Sequence, residues 1–390
     1  MTKPATTIPP RRRRLAPMPL MLMAMAALIV ALWAGLLRLG WKLPLLDAQT
    51  LSNHGPLMVN GFLGTVISME RAVALGRNLG GRHRYMLVPL LAALGGLAML
   101  LRLEPVIYQA LSAGSALGLV LIFVVIYRMQ PGADHAVMLL AAVMWLVGNL
   151  FWLAGSPVPQ VVPWWAGFLV LTIAGERLEL AAVLLMSKGA RATFIAVVGL
   201  FTVGLAVMGL ATIWTTIPLL TPALGLRIAG LGLIAMGLWL LRFDIARLTI
   251  RRTGLTRYIA ACLLPGYVWL IIGGALWLIH GMTFAGPIYD ALLHTIFLGF
   301  VISMIFGHAP VIIPAVMGVK IPYRPVFYVH LVLLHLSLIL RVAGDLWFNQ
   351  TARLWGGMLN EVAVVLFLVV TVIAARQGTR ESKAAVAPGK

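Results

Sequence analysis

Histidines within long apolar segments are the residues of this sequence best suited to do chemistry. The chain has eight histidines: His54, His83, His135, His280, His294, His308, His330 and His335. His83 and His135 fall in predicted loops and His308 at a predicted helix end, where an imidazole is solvated or caps a helix. Inside an apolar bundle, a neutral imidazole is a suitable ligand for haem iron or copper. The histidines within apolar segments are therefore candidate metal ligands.

Four of these histidines are predicted to lie in the same half of the membrane. His54 and His294 each lie about one helical turn, ~5.4 Å, from the same predicted face. Two histidines at matching depth on different helices can hold a planar metal cofactor between them. His335 and His280 are further candidate metal ligands, and His335 is the candidate for copper. The alternative interpretation is a hydrogen bond between helices, which is the commoner use of a single histidine in a membrane.

A charged membrane cluster, Glu176, Arg177 and Glu179, falls near the middle of another apolar segment. Ionisable groups inside a bilayer are costly, so each one is a candidate functional residue. One interpretation is an internal ion pair that locks helix packing, because carboxylates flank Arg177 in sequence. The other interpretation is a proton or ion relay.

The elements that must position these residues are transmembrane helices. The chain has 390 residues, of which 61% are hydrophobic and only 11% charged, and its mean hydropathy is +0.99. Soluble domains carry about 25% charged residues, so this composition predicts an all-α polytopic membrane protein. Apolar runs of about 20 residues each predict one crossing of the bilayer.

About twelve transmembrane helices are predicted in a single domain. The predicted spans are 19–39, 51–72, 85–103, 107–127, 134–154, 163–186, 191–213, 219–241, 257–280, 288–309, 325–344 and 354–375. The transmembrane domain is expected to cover 17–376, between cytoplasmic tails at 1–16 and 377–390 that are predicted to be disordered. The single cysteine, Cys262, excludes a disulfide within the chain.

The basic residues predict the orientation of the bundle. With twelve spans, 23 of the 30 Lys and Arg residues fall in the segments on one side, against five on the other. The positive-inside rule then places both termini in the cytoplasm of a bacterial-type inner (cell) membrane. The net charge of +19 is accounted for by short loops facing anionic lipid, so we expect the bilayer, and no nucleic acid, as the partner.

The segment around His54 resembles two families of haem proteins. It reads NHGPLMVNGFLGTVI from Asn53. His54 and Met58 match the start of the second helix of haem–copper oxidase subunit I, where the histidine is an axial ligand of the low-spin haem. The segment is also similar to the NnrS family, with Met58, Gly61 and Phe62 matching, although Pro56 stands in place of that family's second histidine.

A second segment, LLHTIFLGFVISMIFGHAPVIIP, contains His294. It resembles the tenth oxidase helix, with matches at His294, Gly299, Gly307 and Pro314, and also a late NnrS helix with a single histidine. The following LSLILRVAGDL resembles another NnrS segment. The resemblance implies a haem–copper-oxidase-like bundle in which His54 and His294 are the two axial ligands of one haem b. Copper is a second cofactor that the resemblance allows.

The departures from the oxidase pattern limit what the resemblance implies. Leu292 stands where the oxidases have the histidine that binds the high-spin haem, and predicted spans six and seven lack the copper-binding histidines. Oxygen reduction is therefore not expected. A redox protein is the hypothesis, and the sequence does not decide whether it is an enzyme.

A bound haem also requires partners for its two propionates, because a buried carboxylate needs a cation or hydrogen bonds. Arg341 ends predicted span eleven on the face where His54 and His294 lie, and Arg227 is a second candidate. The alternative for Arg341 is an ion pair with Asp345, one turn later.

Three hypotheses for the function follow. The first is an NnrS-like haem-binding membrane protein in electron transfer or in the handling of nitric oxide and related nitrogen oxides, with a redox partner or a small gaseous ligand. The alternative is a proton-coupled secondary transporter that uses Glu176, Arg177 and Glu179. The third is a non-catalytic membrane assembly or maturation factor.

Overall fold

The computed structural model of the protein is helical wherever it is described. The described residues are 17–44, 48–79, 82–181, 186–214, 217 and 219–384. Within these ranges no strand occurs, and ten helices are long and apolar enough to cross a membrane. The prediction of an all-α polytopic membrane protein is therefore confirmed.

Twelve long helical segments, numbered here in chain order, make up the bundle. They are α1 Pro17–Leu39, α2 54–79, α3 Leu87–Leu100, α4 Pro105–Met129, α5 Ala133–Leu153, α6 Val158–Ala181, α7 Lys188–Ile213, α8 Pro222–Phe243, α9 Gly254–His280, α10 Gly286–Met317, α11 Phe327–Leu346 and α12 Gln350–Ala384. Short helices occur at Ala48–Ser52, Arg82–Tyr85 and Ala246–Thr249.

Two of the predicted crossings differ from the other ten. α3 has only 14 residues, fewer than the ~20 that a full crossing needs. α2 consists of three consecutive helical stretches, and each of them is shorter than 18 residues. Ten crossings are thus supported by length and composition, and the predicted count of twelve stays a prediction.

Helix α6 begins earlier than predicted. The expected span was 163–186. The helix instead begins at Val158 and contains Pro163. In the described stretch of α6, Val158–Ala181, Glu176 and Arg177 lie in the C-terminal third, and their position near the middle of the membrane stays a prediction.

The last helix is longer than predicted. The tail was expected to be disordered from 377, but α12 continues to Ala384. The Thr379 hydroxyl donates a 2.9 Å hydrogen bond to the Ala375 carbonyl oxygen, and Arg324 and Glu381 form an ion pair of 3.0 Å. These contacts stabilise the added turns. The predicted N-terminal tail, 1–16, and residues 385–390 lie outside the described part of the chain.

Small residues set the closest helix contacts. A Cβ atom on Gly230 of α8 would lie 2.6 Å from the Gly274 carbonyl oxygen of α9, and a Cβ on Gly274 would lie 2.7 Å from the Gly230 carbonyl oxygen. The two backbones therefore touch directly. Such contacts stabilise helix pairs in a membrane, where dispersion between closely packed backbones replaces the hydrophobic effect.

The helices that carry His54 and His294 share an unusual local conformation. In α2 an eight-residue π-helical stretch, Leu57–Gly64, follows His54, and in α10 another, Thr295–Ile302, follows His294. π-Helical turns are rare and often occur at functional sites. Each stretch contains a glycine covered by a tryptophan of a neighbouring helix: Trp145 lies over Gly64, and Trp269 over Gly299.

Candidate functional site

A cavity of about 480 Å³ lies at the end of the bundle where α1 ends and α2 begins, and we call this end the histidine end. Residues of α1, α2, α6, α10, α11 and α12 line the cavity, and both His54 and His294 are among them. The volume is within the range of about 300–1,000 Å³ typical of small-molecule sites. We call it the histidine cavity.

The two histidine rings lie close to each other in the cavity wall. Their centroids are 6.4 Å apart and their planes are tilted by 34°. A metal–imidazole bond of about 2 Å on each side, with each ring centroid about 1 Å beyond its nitrogen, places two opposed imidazole centroids about 6 Å apart. The gap therefore has the width that one metal ion between two imidazoles requires.

The ring of His54 is oriented by helix α1. Its Nδ1 lies 2.7 Å from the Ala31 carbonyl oxygen, and a carbonyl accepts, so Nδ1 carries the proton and Nε2 keeps its lone pair. Gly35, one turn after Ala31, makes room for the ring, because a Cβ there would lie 3.0 Å from Cε1 of His54. A histidine that ligates a metal typically donates its other N–H in this way.

The ring of His294 is oriented by its own helix. Its Nδ1 lies 2.8 Å from the backbone carbonyl oxygen of Asp290 and 3.3 Å from Oδ1 of the Asp290 carboxylate. Nδ1 again carries the proton, and Nε2 keeps its lone pair. Both histidines are thus in the tautomer that leaves Nε2 available as a ligand.

Arg341 lines the histidine cavity, as predicted, but its partner is not Asp345. The guanidinium is buried, and its Nε and one terminal nitrogen donate to the two oxygens of Asp290 at 2.8 and 2.9 Å. Asp345 lies 2.8 Å from Nε of Arg353 instead. The predicted Arg341–Asp345 pair was wrong because Arg341 points from α11 towards α10, a direction that sequence spacing within one helix cannot give.

Four further charged residues line the cavity and were not predicted as site residues from the sequence: Arg38, Asp290, Arg353 and Glu361. Glu361 of α12 has a buried Oε2 without a hydrogen-bond partner among the described residues. Arg38, at the end of α1, is exposed and donates to the Leu51 carbonyl oxygen at 3.3 Å. Glu361 is an acidic residue inside a predicted span. The reasoning that selected Glu176, that an ionisable group inside a bilayer is costly, therefore applies to Glu361 as well. Arg38 was assigned to a loop.

Arg227 and His280 are not brought to the histidine cavity. Arg227 is exposed on α8 and His280 is exposed at the end of α9, and neither lines the cavity. The predicted role of Arg227 as a propionate partner therefore lacks the proximity it needs.

His335 connects helices instead of lining the cavity. The Trp269 indole N–H donates to its Nδ1 at 3.1 Å, so Nε2 carries the proton and faces the Ser303 hydroxyl oxygen at 3.3 Å. Both ring nitrogens are engaged. This arrangement matches the interpretation of a membrane histidine as a link between helices, and it leaves no nitrogen of His335 for copper.

The charged membrane cluster is divided between two ion pairs. Arg177 is buried and donates from Nε and a terminal nitrogen to Asp244 at 2.7 and 2.9 Å. Glu176 pairs with Arg71 of α2, and Glu179 is exposed. Arg177 thus forms an ion pair as one interpretation predicted, but with a carboxylate at the end of α8, not with its sequence neighbours.

A second group of potential ligands lies at the opposite end of the bundle. One ligand atom each of Asp134, His135 and Glu179 lies within 4.8 Å of the others. The imidazole Nδ1 of His135 also lies 2.9 Å from the Gln130 carbonyl oxygen. From the sequence, His135 was expected to be solvated or to cap a helix, and its proximity to Glu179 was not predicted. The side chain of His83 lies outside the described residues.

A comparison with protein families matches residues 16–376 to a family described as a domain of unknown function, DUF8744. Because the match extends from α1 into α12, the chain belongs to this family. No curated protein matches the chain. The chemistry of the site therefore has to be inferred from the geometry of its own residues.

Proposed function

We propose that this member of the DUF8744 family is a haem-binding integral membrane protein in which His54 and His294 are the axial ligands of one haem b. One observation carries the proposal. The two rings lie 6.4 Å apart, and each has its Nδ1 proton donated to a backbone carbonyl. With Nδ1 of each ring donating to a carbonyl, Nε2 is the ring atom of each histidine that is left to bind a metal, which is the usual arrangement of metal-ligating histidines.

The walls of the histidine cavity fit an apolar macrocycle with an acidic edge. Apolar side chains supply most of the lining, and they include Leu32, Met58, Val162, Phe297, Leu298 and Val364. Arg38 lines the same cavity, and it donates to a neutral acceptor, the Leu51 carbonyl oxygen. Its guanidinium is suited to bind a propionate, a role for which Arg341, held by Asp290, is less free.

Haem held by two histidines supplies one-electron transfer, because both axial positions of its iron are occupied by the protein. The residues of the chain would hold it, exclude water and fix its depth at the histidine end. Electron transfer with a redox partner is therefore the favoured role. The handling of nitric oxide or related nitrogen oxides is a finer proposal that rests on the NnrS resemblance alone.

The transporter alternative has less support. Arg177 is fixed in a bidentate pair with Asp244, and Glu176 is paired with Arg71. Neither Glu176, Arg177 nor Glu179 lines the histidine cavity. A coupling site must change its charge or its partners during transport, whereas a bidentate buried pair favours a structural role.

The haem proposal is tested by absorbance spectra of the purified full-length protein, oxidised and reduced. We expect a Soret band and a sharp reduced alpha band of low-spin haem. His54→Ala and His294→Ala should each abolish this spectrum or convert it to a high-spin form, because iron loses one of two strong ligands. The matched control is His280→Ala, at the same end but outside the cavity, which should keep the wild-type spectrum.

Two results would overturn the proposal. The first is wild-type protein without a Soret band after expression with ample haem. The second is a full haem complement in the His54→Ala, His294→Ala double variant.

A further inference from the structure

We infer that Asp290 is a positioning residue that makes His294 the more electron-rich of the two ligands, and that Arg341 holds the Asp290 carboxylate in place for this purpose. The inference rests on the proposed function, because it concerns the metal that His294 would bind. It gives the Asp290–Arg341 pair a role in setting the reduction potential of that metal.

The carboxylate of Asp290 lies beside the Nδ1–H of His294. Asp290 is one helical turn before His294 on α10. Two of its oxygens lie near Nδ1 of His294: the backbone carbonyl oxygen at 2.8 Å and the carboxylate Oδ1 at 3.3 Å. A negative charge beside the N–H raises the electron density of an imidazole and its strength as a metal ligand. A stronger donor favours the oxidised metal and lowers its potential.

Arg341 fixes this carboxylate. Its planar guanidinium binds both oxygens of Asp290, and a two-point contact of this kind restricts rotation of the carboxylate. Arg341 is only 4% exposed, and the Asp290 side chain is 13% exposed. Arg353 adds a second cation, with its Nε 4.0 Å from Oδ2 of Asp290.

His54 has a different partner. Its Nδ1 lies 2.7 Å from the neutral carbonyl oxygen of Ala31. The two proposed ligands are therefore electronically unequal, since only His294 has a carboxylate beside its Nδ1. An arrangement needed only to orient a ring would be satisfied by a carbonyl, as at His54. The added carboxylate and its bidentate arginine indicate a second purpose.

The test is a redox titration of the full-length, haem-loaded Asp290→Asn variant, together with its ferric low-spin electron paramagnetic resonance spectrum. We expect the equilibrium to shift about tenfold towards the reduced form, which is about 59 mV for a one-electron couple. The g values should change as well, because the donor strength of His294 falls. Arg341→Lys keeps the charge but loses the planar fork, and should shift the potential in the same direction by less.

The matched control is Asp345→Asn. Asp345 belongs to the same charged group and is fully buried; it interacts with Asp290 and pairs with Arg353, but His294 is not among its partners. A shift and a g-value change in Asp290→Asn that are absent in Asp345→Asn would support the inference. Equal shifts in both variants would mean a general loss of negative charge and would overturn it.

Failure of the inference is distinguishable from failure of the proposed function. Wild-type protein without haem overturns both. Wild-type protein with low-spin haem, but with an unchanged potential in Asp290→Asn, overturns only the role of Asp290. If Asp290→Asn does not fold, the Arg341→Lys variant decides, and an unchanged potential and spectrum there would also overturn the inference.

Discussion

Arg38 shows how much the role of a single charge depends on what lies beside it. In the sequence it is one of five basic residues on the less basic side of the predicted membrane. In the structure it lines the histidine cavity and donates to the neutral Leu51 carbonyl oxygen. Arg227, which the sequence offered as a second candidate after Arg341, is exposed on α8 and does not line the cavity. Arg38 is therefore better placed than Arg227 to bind a propionate of the proposed haem.

Arg38→Leu should weaken haem retention, because a propionate of the proposed haem would lose its charge-assisted hydrogen bonds to the guanidinium. We expect a severalfold faster loss of haem to an apo-protein scavenger, with the low-spin spectrum unchanged while haem is still bound. Arg227→Leu is the matched control, since it removes the same charge outside the cavity. Equal rates for Arg38→Leu and the wild type would exclude Arg38 as a propionate partner.

At the scale of the helix, the π-helical stretches of α2 and α10 position the two histidines. Each stretch begins within three residues of its histidine. Each also packs a glycine against an indole, and the Trp145 indole is held firmly. It stacks on Phe168 at 4.8 Å and donates to Asn60 at 2.7 Å. The stretches therefore join the ligand helices to rigid neighbours.

Gly64→Ala should destabilise the protein by about 1–3 kcal/mol, the usual cost of overpacking a filled core. A Cβ at Gly64 would lie 2.8 Å from Cη2 of Trp145, and that indole has no room to move. Thermal unfolding in detergent would measure the change. Gly199→Ala on α7 is the control, because nothing lies within 4 Å of a Cβ there. A Gly64→Ala variant as stable as Gly199→Ala would contradict tight packing of this π stretch.

For the whole molecule, the order of helices and the basic loops together define a topology. Antiparallel neighbours alternate direction, and α12 returns beside α1, where Gly35 and Glu361 approach each other. Segments that join α8 to α9 and α10 to α11 thus share one end of the bundle. They contain Arg247, Arg251, Lys320 and Arg324.

We predict that this basic end faces the cytoplasm and that the histidine cavity faces away from it. Reporter fusions at Lys320 and at Lys390 should both report a cytoplasmic position. The control is a fusion in the loop after α9, at Met282, which should report the opposite side. An external signal from Lys320 or Lys390 would contradict either the orientation or the even number of crossings.

The sequence by itself determined where the helices lie. Each of the predicted spans overlaps a helix, because a chain in lipid must satisfy its backbone hydrogen bonds locally and be apolar along about 20 residues. Both conditions can be read from neighbouring residues. The sequence also selected His54 and His294, since depth follows from distance to a helix end.

Only the tertiary structure decided which side chains meet. Arg341 pairs with Asp290, Arg177 with Asp244, and Arg38 and Glu361 join the cavity wall. These contacts depend on which helices are neighbours and on how each is rotated about its axis. Nearly every face of a membrane helix is apolar, so hydrophobic periodicity specifies that rotation weakly. The π-helical stretches of α2 and α10 also change which side chains point into the bundle, and no local pattern in the sequence marks these stretches.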